Sequence, residues 1–176
     1  MLIEVPGQNK LAFSINNFFT ETECDEILGN ITGEFKDSLV SSVRNNSRLF
    51  MRDSILLDKI WQRIKVLEEL SEETITGIDE EMIIYRYREG EFFRERHSNN
   101  NRLMIYIFLN DGYEGGEINF TVHEKLVVKK RLKDIIHKTE IKPIKGKMIC
   151  FMDSLSHEDM EINTGEKYIL CLEVYR

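Results

Sequence analysis

From Met82 to Tyr175 the chain is a succession of short segments rich in β-formers, cut at close intervals by glycine turns. The segment from Met82 to Arg88 is partly alternating and stops at Gly90. Leu103 to Leu109 is a dense apolar run closed by Asn110-Asp111-Gly112, a turn signal. Ile118 to Val122 alternates after Gly115-Gly116, and Leu126 to Lys130, Ile135-Ile136, Glu140 to Ile144, Lys147 to Met152 and Lys167 to Tyr175 follow. Short strands at this spacing predict a β-sandwich or barrel, in which each strand is buried by a second layer.

The first 80 residues read differently. Thr20 with Glu23 three residues on forms a capping box, the start signal of a helix running through Ile27-Leu28. Asp53 to Leu70 carries Ile55, Ile60, Ile64 and Leu67 at helical spacing with Trp61 nearby, and the acidic run Glu68 to Glu73 reads as its solvated end. Helices first and strands after predict an α+β chain, with the helices packed on the outside of a jelly roll. With 176 residues, only two prolines and no low-complexity stretch, the expectation is one domain. Residues 1–80 would form a helical support region and residues 81–176 the jelly-roll core.

Composition narrows the class of function. A net charge of −7 gives no global field to draw nucleic acid or an anionic membrane. The one basic cluster, Lys129-Lys130-Arg131 with Lys133, is short and reads as a solvated hairpin tip. No apolar run approaches the roughly 20 residues that span a bilayer, and the N-terminus lacks the pattern of a secretory signal. Cys24, Cys150 and Cys171 are widely scattered in apolar contexts, which fits buried free thiols in a reducing compartment; the cytoplasm is the expectation.

The residues able to carry chemistry cluster late in the chain. His97 and Asn99 stand two apart, the spacing that puts two side chains on one face of a strand. His157 ends one apolar stretch, and Lys167, ten residues on, opens another. Taken singly each has an ordinary explanation: His97 as a loop histidine, Lys167 as a strand-opening surface lysine, Tyr87 as a core tyrosine with a satisfied hydroxyl. His123 and His137 read as surface histidines of a hairpin. Joint spacing is what distinguishes the set.

Four blocks in order resemble the Fe(II)/2-oxoglutarate oxygenases, in their prolyl-4-hydroxylase-like branch. They are Tyr85-Arg86-Tyr87 through Gly90 to Phe92-Phe93, Ile107-Phe108-Leu109-Asn110 through Gly115-Gly116-Glu117, Pro143-Ile144-Lys145-Gly146, and Ser156-His157 through Lys167 to Tyr175. The resemblance covers about residues 81 to 176. It implies a double-stranded β-helix and a facial triad of two histidines and a carboxylate, which leaves three positions on Fe(II) for a bidentate 2-oxoacid and the co-substrate O2. Carried over, His97, Asn99 and His157 would hold the iron. Lys167 would pair with the far carboxylate of 2-oxoglutarate, with Tyr87 and Tyr106 lining that site. The implied reaction converts 2-oxoglutarate to succinate and CO2 while hydroxylating a protein or peptide side chain.

Of the sequence's departures from the pattern, two fall on the metal-ligand positions. Asn99 stands where the family carries the metal-ligating aspartate, and His97 lies four residues after Phe93 where the family more usually has three. Glu95, Glu158 and Asp159 are the carboxylates that could substitute. An active hydroxylase and a degenerate oxygenase fold kept as a binding or interaction module therefore both stand open.

Overall fold

The computed structural model describes residues 12–38, 42–67, 70, 75–98, 102–128 and 131–176. In chain order the elements are β1 (Ala12–Ile15), α1 (Glu21–Gly29), β2 (Lys36–Asp37), β3 (Ser47–Met51), α2 (Ser54–Ile64), β4 (Gly77–Ile78), β5 (Met82–Arg88) and β6 (Phe93–Arg96). They continue as β7 (Leu103–Phe108), β8 (Glu114–Gly115), β9 (Ile118–Val128), β10 (Arg131–Ile141), β11 (Met148–Met152), β12 (Ser156–Asp159), β13 (Ile162–Thr164) and β14 (Glu166–Tyr175). The larger sheet runs β1-β11-β7-β14-β5-β3-β2, with β4 paired to β14; the smaller runs β10-β9-β12-β6. This is the jelly roll expected from the sequence, with two helices against its outer side.

The larger sheet is buried on both faces, which is why its strands read as continuous apolar runs rather than alternating ones. Met82, Ile84, Ile105, Ile107, Leu170 and Leu172 face the helices and pack with Phe18, Phe19, Ile27, Leu56, Ile60 and Ile64. Their neighbours Tyr85, Tyr87, Tyr106, Phe108, Ile169 and Cys171 face the smaller sheet and pack with Ile118, Phe120 and Phe151. A change of one residue in register would exchange the two cores.

Thr20 caps α1 as its capping box predicts: its hydroxyl accepts from the Glu23 backbone N–H, and Glu23 accepts from the Thr20 N–H. Glu23 also takes an ion pair from Arg63, tying α1 to α2. Asp53 caps α2 through the Ile55 and Leu56 backbone N–H groups. The helix ends at Ile64, short of the Leu70 expected; tight i→i+3 turns from Ile64 to Leu67 and from Leu67 to Leu70 carry Leu67 and Leu70 onto the core instead. Ile55 is 82% exposed, because the buried stripe of α2 is Leu56, Ile60 and Ile64.

Two further departures have plain causes. The segments expected as separate strands from Leu126 to Ile144 form one long hairpin, β9 against β10, paired from Val128↔Arg131 to Ile118↔Ile141. The ladder outruns the core, so hydrogen bonding continues where burial does not and Ile136 lies exposed. Residues 12–51 also supply β1, β2 and β3 to the larger sheet, so the N-terminal part is woven into the roll as well as supporting it. Gly146, at φ +78°, turns the chain into β11; a Cβ there would run into the Phe19 carbonyl, whose residue is hydrogen-bonded back to Gly146. Asn99, Lys129, Lys130 and most of the run Glu68 to Glu73 lie outside the described residues.

Candidate functional site

Strands β6 and β12 lie side by side at the mouth of the roll, with His157 directly opposite Arg96. Side chains alternate across a strand, so His157 and Asp159 share the buried face of β12 while Ser156 and Glu158 turn outward. The same alternation sends Arg96 inward, where its guanidinium donates to the Tyr106 hydroxyl at 3.2 Å and to Asp159 Oδ2 at 2.8 Å. Glu95 faces the other way and accepts from the Ser156 hydroxyl. His97 follows the last residue of β6 and is exposed on the rim. It lines, with His157, Arg96, Tyr106 and Phe93, a mouth cavity of about 290 Å³.

His157 is held as a neutral ring. Burial, with the Arg96 charge beside it, pushes its pKa down to about 4. Its Nδ1 lies 2.8 Å from the Leu155 carbonyl. A carbonyl can only accept, so Nδ1 carries the proton and Nε2 presents a lone pair. Phe151 packs edge-on at 4.7 Å and fixes the ring plane. Such a histidine suits a metal or a hydrogen-bond donor.

Behind Arg96 lies a fully buried ion cluster. Lys167, 0% exposed, is the cross-strand partner of Tyr87, and its ammonium sits 4.3 Å from that ring's centroid. It donates to the Gly116 carbonyl at 2.8 Å and to Asp159 Oδ1 at 3.2 Å. Gly116 is at φ +70°, and a Cβ there would crowd both Ile162 and Lys167, so the missing side chain lets the ammonium reach the backbone. Burial alone would raise the Asp159 carboxyl; Lys167 and Arg96 outweigh it and hold the group at about 2. The Tyr87 hydroxyl is buried with no hydrogen-bond partner among the described residues.

Fe(II) and 2-oxoglutarate fit this arrangement poorly. The triad that the resemblance implies needs a second inward imidazole beside His157, and the residue opposite His157 is a guanidinium bonded to Asp159. Among the described residues no three His, Cys, Asp or Glu side chains gather where they could hold a metal ion. The Lys167 ammonium that would seat the oxoacid is engaged by a carboxylate of the chain itself. The structure thus brings His157, Lys167, Tyr87 and Tyr106 into one interior and leaves His97 on its rim; Asn99 is outside the described residues. Of the candidate substitute carboxylates, Glu95 and Glu158 face outward and Asp159 faces in, toward cations. Arg96 was missed by the sequence reading. Its signal was the family spacing of three residues after Phe93, which falls on Arg96.

No family model matches the sequence, and no curated protein matches it. Solved structures do. A collagen prolyl hydroxylase of Paramecium bursaria Chlorella virus-1, in complex with 2-oxoglutarate, is 19% identical with a TM-score of 0.66, over 96% of both chains. A prolyl-4-hydroxylase of Pseudomonas putida is 15% identical with a TM-score of 0.67, over 96% of this chain and 94% of that one. A Trichoplax adhaerens prolyl hydroxylase in complex with a hypoxia-inducible-factor peptide is 16% identical with a TM-score of 0.67, over 93% and 83%. Together with the sheet order above, these likenesses give the chain the double-stranded β-helix fold of the prolyl-hydroxylase-like 2-oxoglutarate oxygenases.

Proposed function

We propose that this chain is a non-hydroxylating relative of the prolyl hydroxylases, an oxygenase fold kept as a binding module for a peptide or protein segment. The observation that carries the reading is Arg96 at the inward position opposite His157, bonded to Asp159. A fixed positive charge beside the one buried imidazole repels a divalent cation and takes the place of a second ligand. The surface around the mouth suits a peptide. Arg44 and Phe93 line both the mouth cavity and an adjoining cleft of about 780 Å³, where Val43 and Phe50 are 46% and 44% exposed. The peptide complex of the Trichoplax relative supports a partner of this class.

A second reading, the active Fe(II)/2-oxoglutarate hydroxylase, has one observation in its favour: His97 and His157 border the same cavity, and His157 has a free Nε2. The two readings separate in an assay of 2-oxoglutarate conversion to succinate with added Fe(II) and no second substrate. The binding-module reading expects no succinate above a protein-free control. It expects none from Asn99→Asp either, because a carboxylate at that position leaves Arg96 in place. Iron-dependent succinate formation that His157→Ala abolishes would overturn it.

A further inference from the structure

β10 is the last strand of the smaller sheet, paired to β9 on one side and to no strand among the described residues on the other. It runs from Arg131 to Ile141 without a proline, in an unbroken ladder with β9. An edge of that length presents a row of open N–H and C=O groups, which proteins ordinarily interrupt or cover. Ile136 stands at its middle, 56% exposed, with Asp134 and Lys138 two residues to either side on the same face and also exposed. His123 of β9 stands 3.3 Å from Asp134 Oδ2, but both groups are half-exposed and the contact is weak.

A second copy of the same strand fits this edge. A two-fold axis normal to the sheet pairs the strands antiparallel and keeps each face on its own side, so Asp134, Ile136, Lys138 and Glu140 meet residues of their own face. Centring the axis on Ile136, the midpoint of the strand, pairs it over its full length, from Arg131 to Ile141. In that register Ile136 meets its own copy, and Asp134 of each chain meets Lys138 of the other. Moving the axis to Asp134 or Lys138 sets like charges against themselves, and moving it to His137 sets Asp134 against Glu140. About Ile135 no opposite charges meet. About Thr139 Lys138 meets Glu140, but only residues 137–141 pair. The longest register is therefore also the one in which the charges agree.

We propose that the β10 edge joins two copies of this chain into a two-fold dimer, with Ile136 on the axis and reciprocal Asp134–Lys138 pairs beside it. The two smaller sheets then form one continuous sheet. β6, which carries Arg96, is the opposite edge of the smaller sheet, so the dimer leaves the mouth of each roll open.

Sedimentation velocity over a dilution series of the full chain should show a monomer–dimer equilibrium. Lys138→Asp turns both attractive pairs into repulsive ones and should weaken dimerisation by about tenfold or more, as should Asp134→Lys. Asp134→Lys/Lys138→Asp restores opposite charges and should restore the dimer. Under mild oxidation Ile136→Cys should cross-link two chains, because directly opposed Cα atoms of an antiparallel pair stand about 4.5–5.5 Å apart, within disulfide reach. Cys24, Cys150 and Cys171 are buried and stay out of that reaction. Ile135→Cys and His137→Cys, a step off the axis, should not cross-link. A monomer at every concentration overturns the proposal. So does a dimer that survives both charge reversals, a double variant that stays monomeric, or cross-linking at residue 135 or 137 in preference to 136. If a charge variant does not fold, the cross-linking pattern decides alone.

Discussion

Within the trio of Arg96, Asp159 and Lys167, the two ends of the Asp159–Lys167 pair should not cost the same to remove. Breaking a fully buried ion pair costs about 3–5 kcal/mol, because the surviving charge is stranded away from water. Lys167→Met strands nothing completely: Arg96 still holds Asp159 at 2.8 Å, and the excess positive charge disappears. Its cost is the lost pair at 3.2 Å plus the Gly116 carbonyl left without its donor, offset by an apolar chain of similar volume. We expect about 2–3 kcal/mol. Asp159→Asn keeps the shape but leaves two cations facing each other across a neutral amide, and should cost about 4–5 kcal/mol. For a chain of this length each kcal/mol moves Tm by about 2–4 °C. Lys167→Met should therefore melt roughly 5–10 °C lower and Asp159→Asn lower still. Urea denaturation of both variants and of the double variant completes a cycle, in which a coupling of about 2 kcal/mol is expected for groups in contact. If Lys167→Met proved the more damaging, or the two effects simply added, the charge accounting here would be refuted.

Acid should destabilise the fold through His157. Its folded-state pKa of about 4 lies below the ordinary 6.5, so the unfolded chain binds a proton that the fold excludes. The stabilisation is complete above pH 6.5 and is lost as pH falls toward 4, by about 3 kcal/mol. Urea midpoints between pH 7 and 4.5 should fall less steeply for His157→Gln; parallel curves would exclude the ring as the cause. Two glycines separate steric cost from backbone cost. Gly90 and Gly146 share nearly the same positive φ, but a Cβ at Gly90 meets nothing within 4 Å, whereas one at Gly146 meets the Phe19 backbone. Gly90→Ala should cost about 1 kcal/mol and Gly146→Ala about 3 by equilibrium denaturation, and equal losses would contradict the close approach.

Much of the architecture was legible because it follows from local rules. The capping box at Thr20, the strand from Met82 to Arg88 and the turn at Gly112 rest on neighbours within a few residues. What the sequence hid depended on distant partners. Ile136 reads as a strand residue, but on the long hairpin it lies exposed. The strands β1 to β3 are short or polar, and only pairing with β11 and β5 makes them part of the larger sheet.

At the site, the sequence reading started from residue type and so settled on histidines, whereas the fold selects by face. Along β6 the inward position opposite His157 belongs to Arg96, and His97 comes one step later, past the strand end. A one-residue step on a strand is a change of side. The same rule explains Asp159: two residues beyond His157, it must share that residue's inward face, where a carboxylate is tolerable only beside cations. Arg96 and Asp159 therefore make sense together. An inward arginine without the aspartate would leave two buried cations with no counter-ion, and an inward aspartate without the arginine would leave a lone Lys167 pair that an oxoacid could contest. Each accounts for the other, and together with Lys167 the pair lets the roll keep charged groups in its interior.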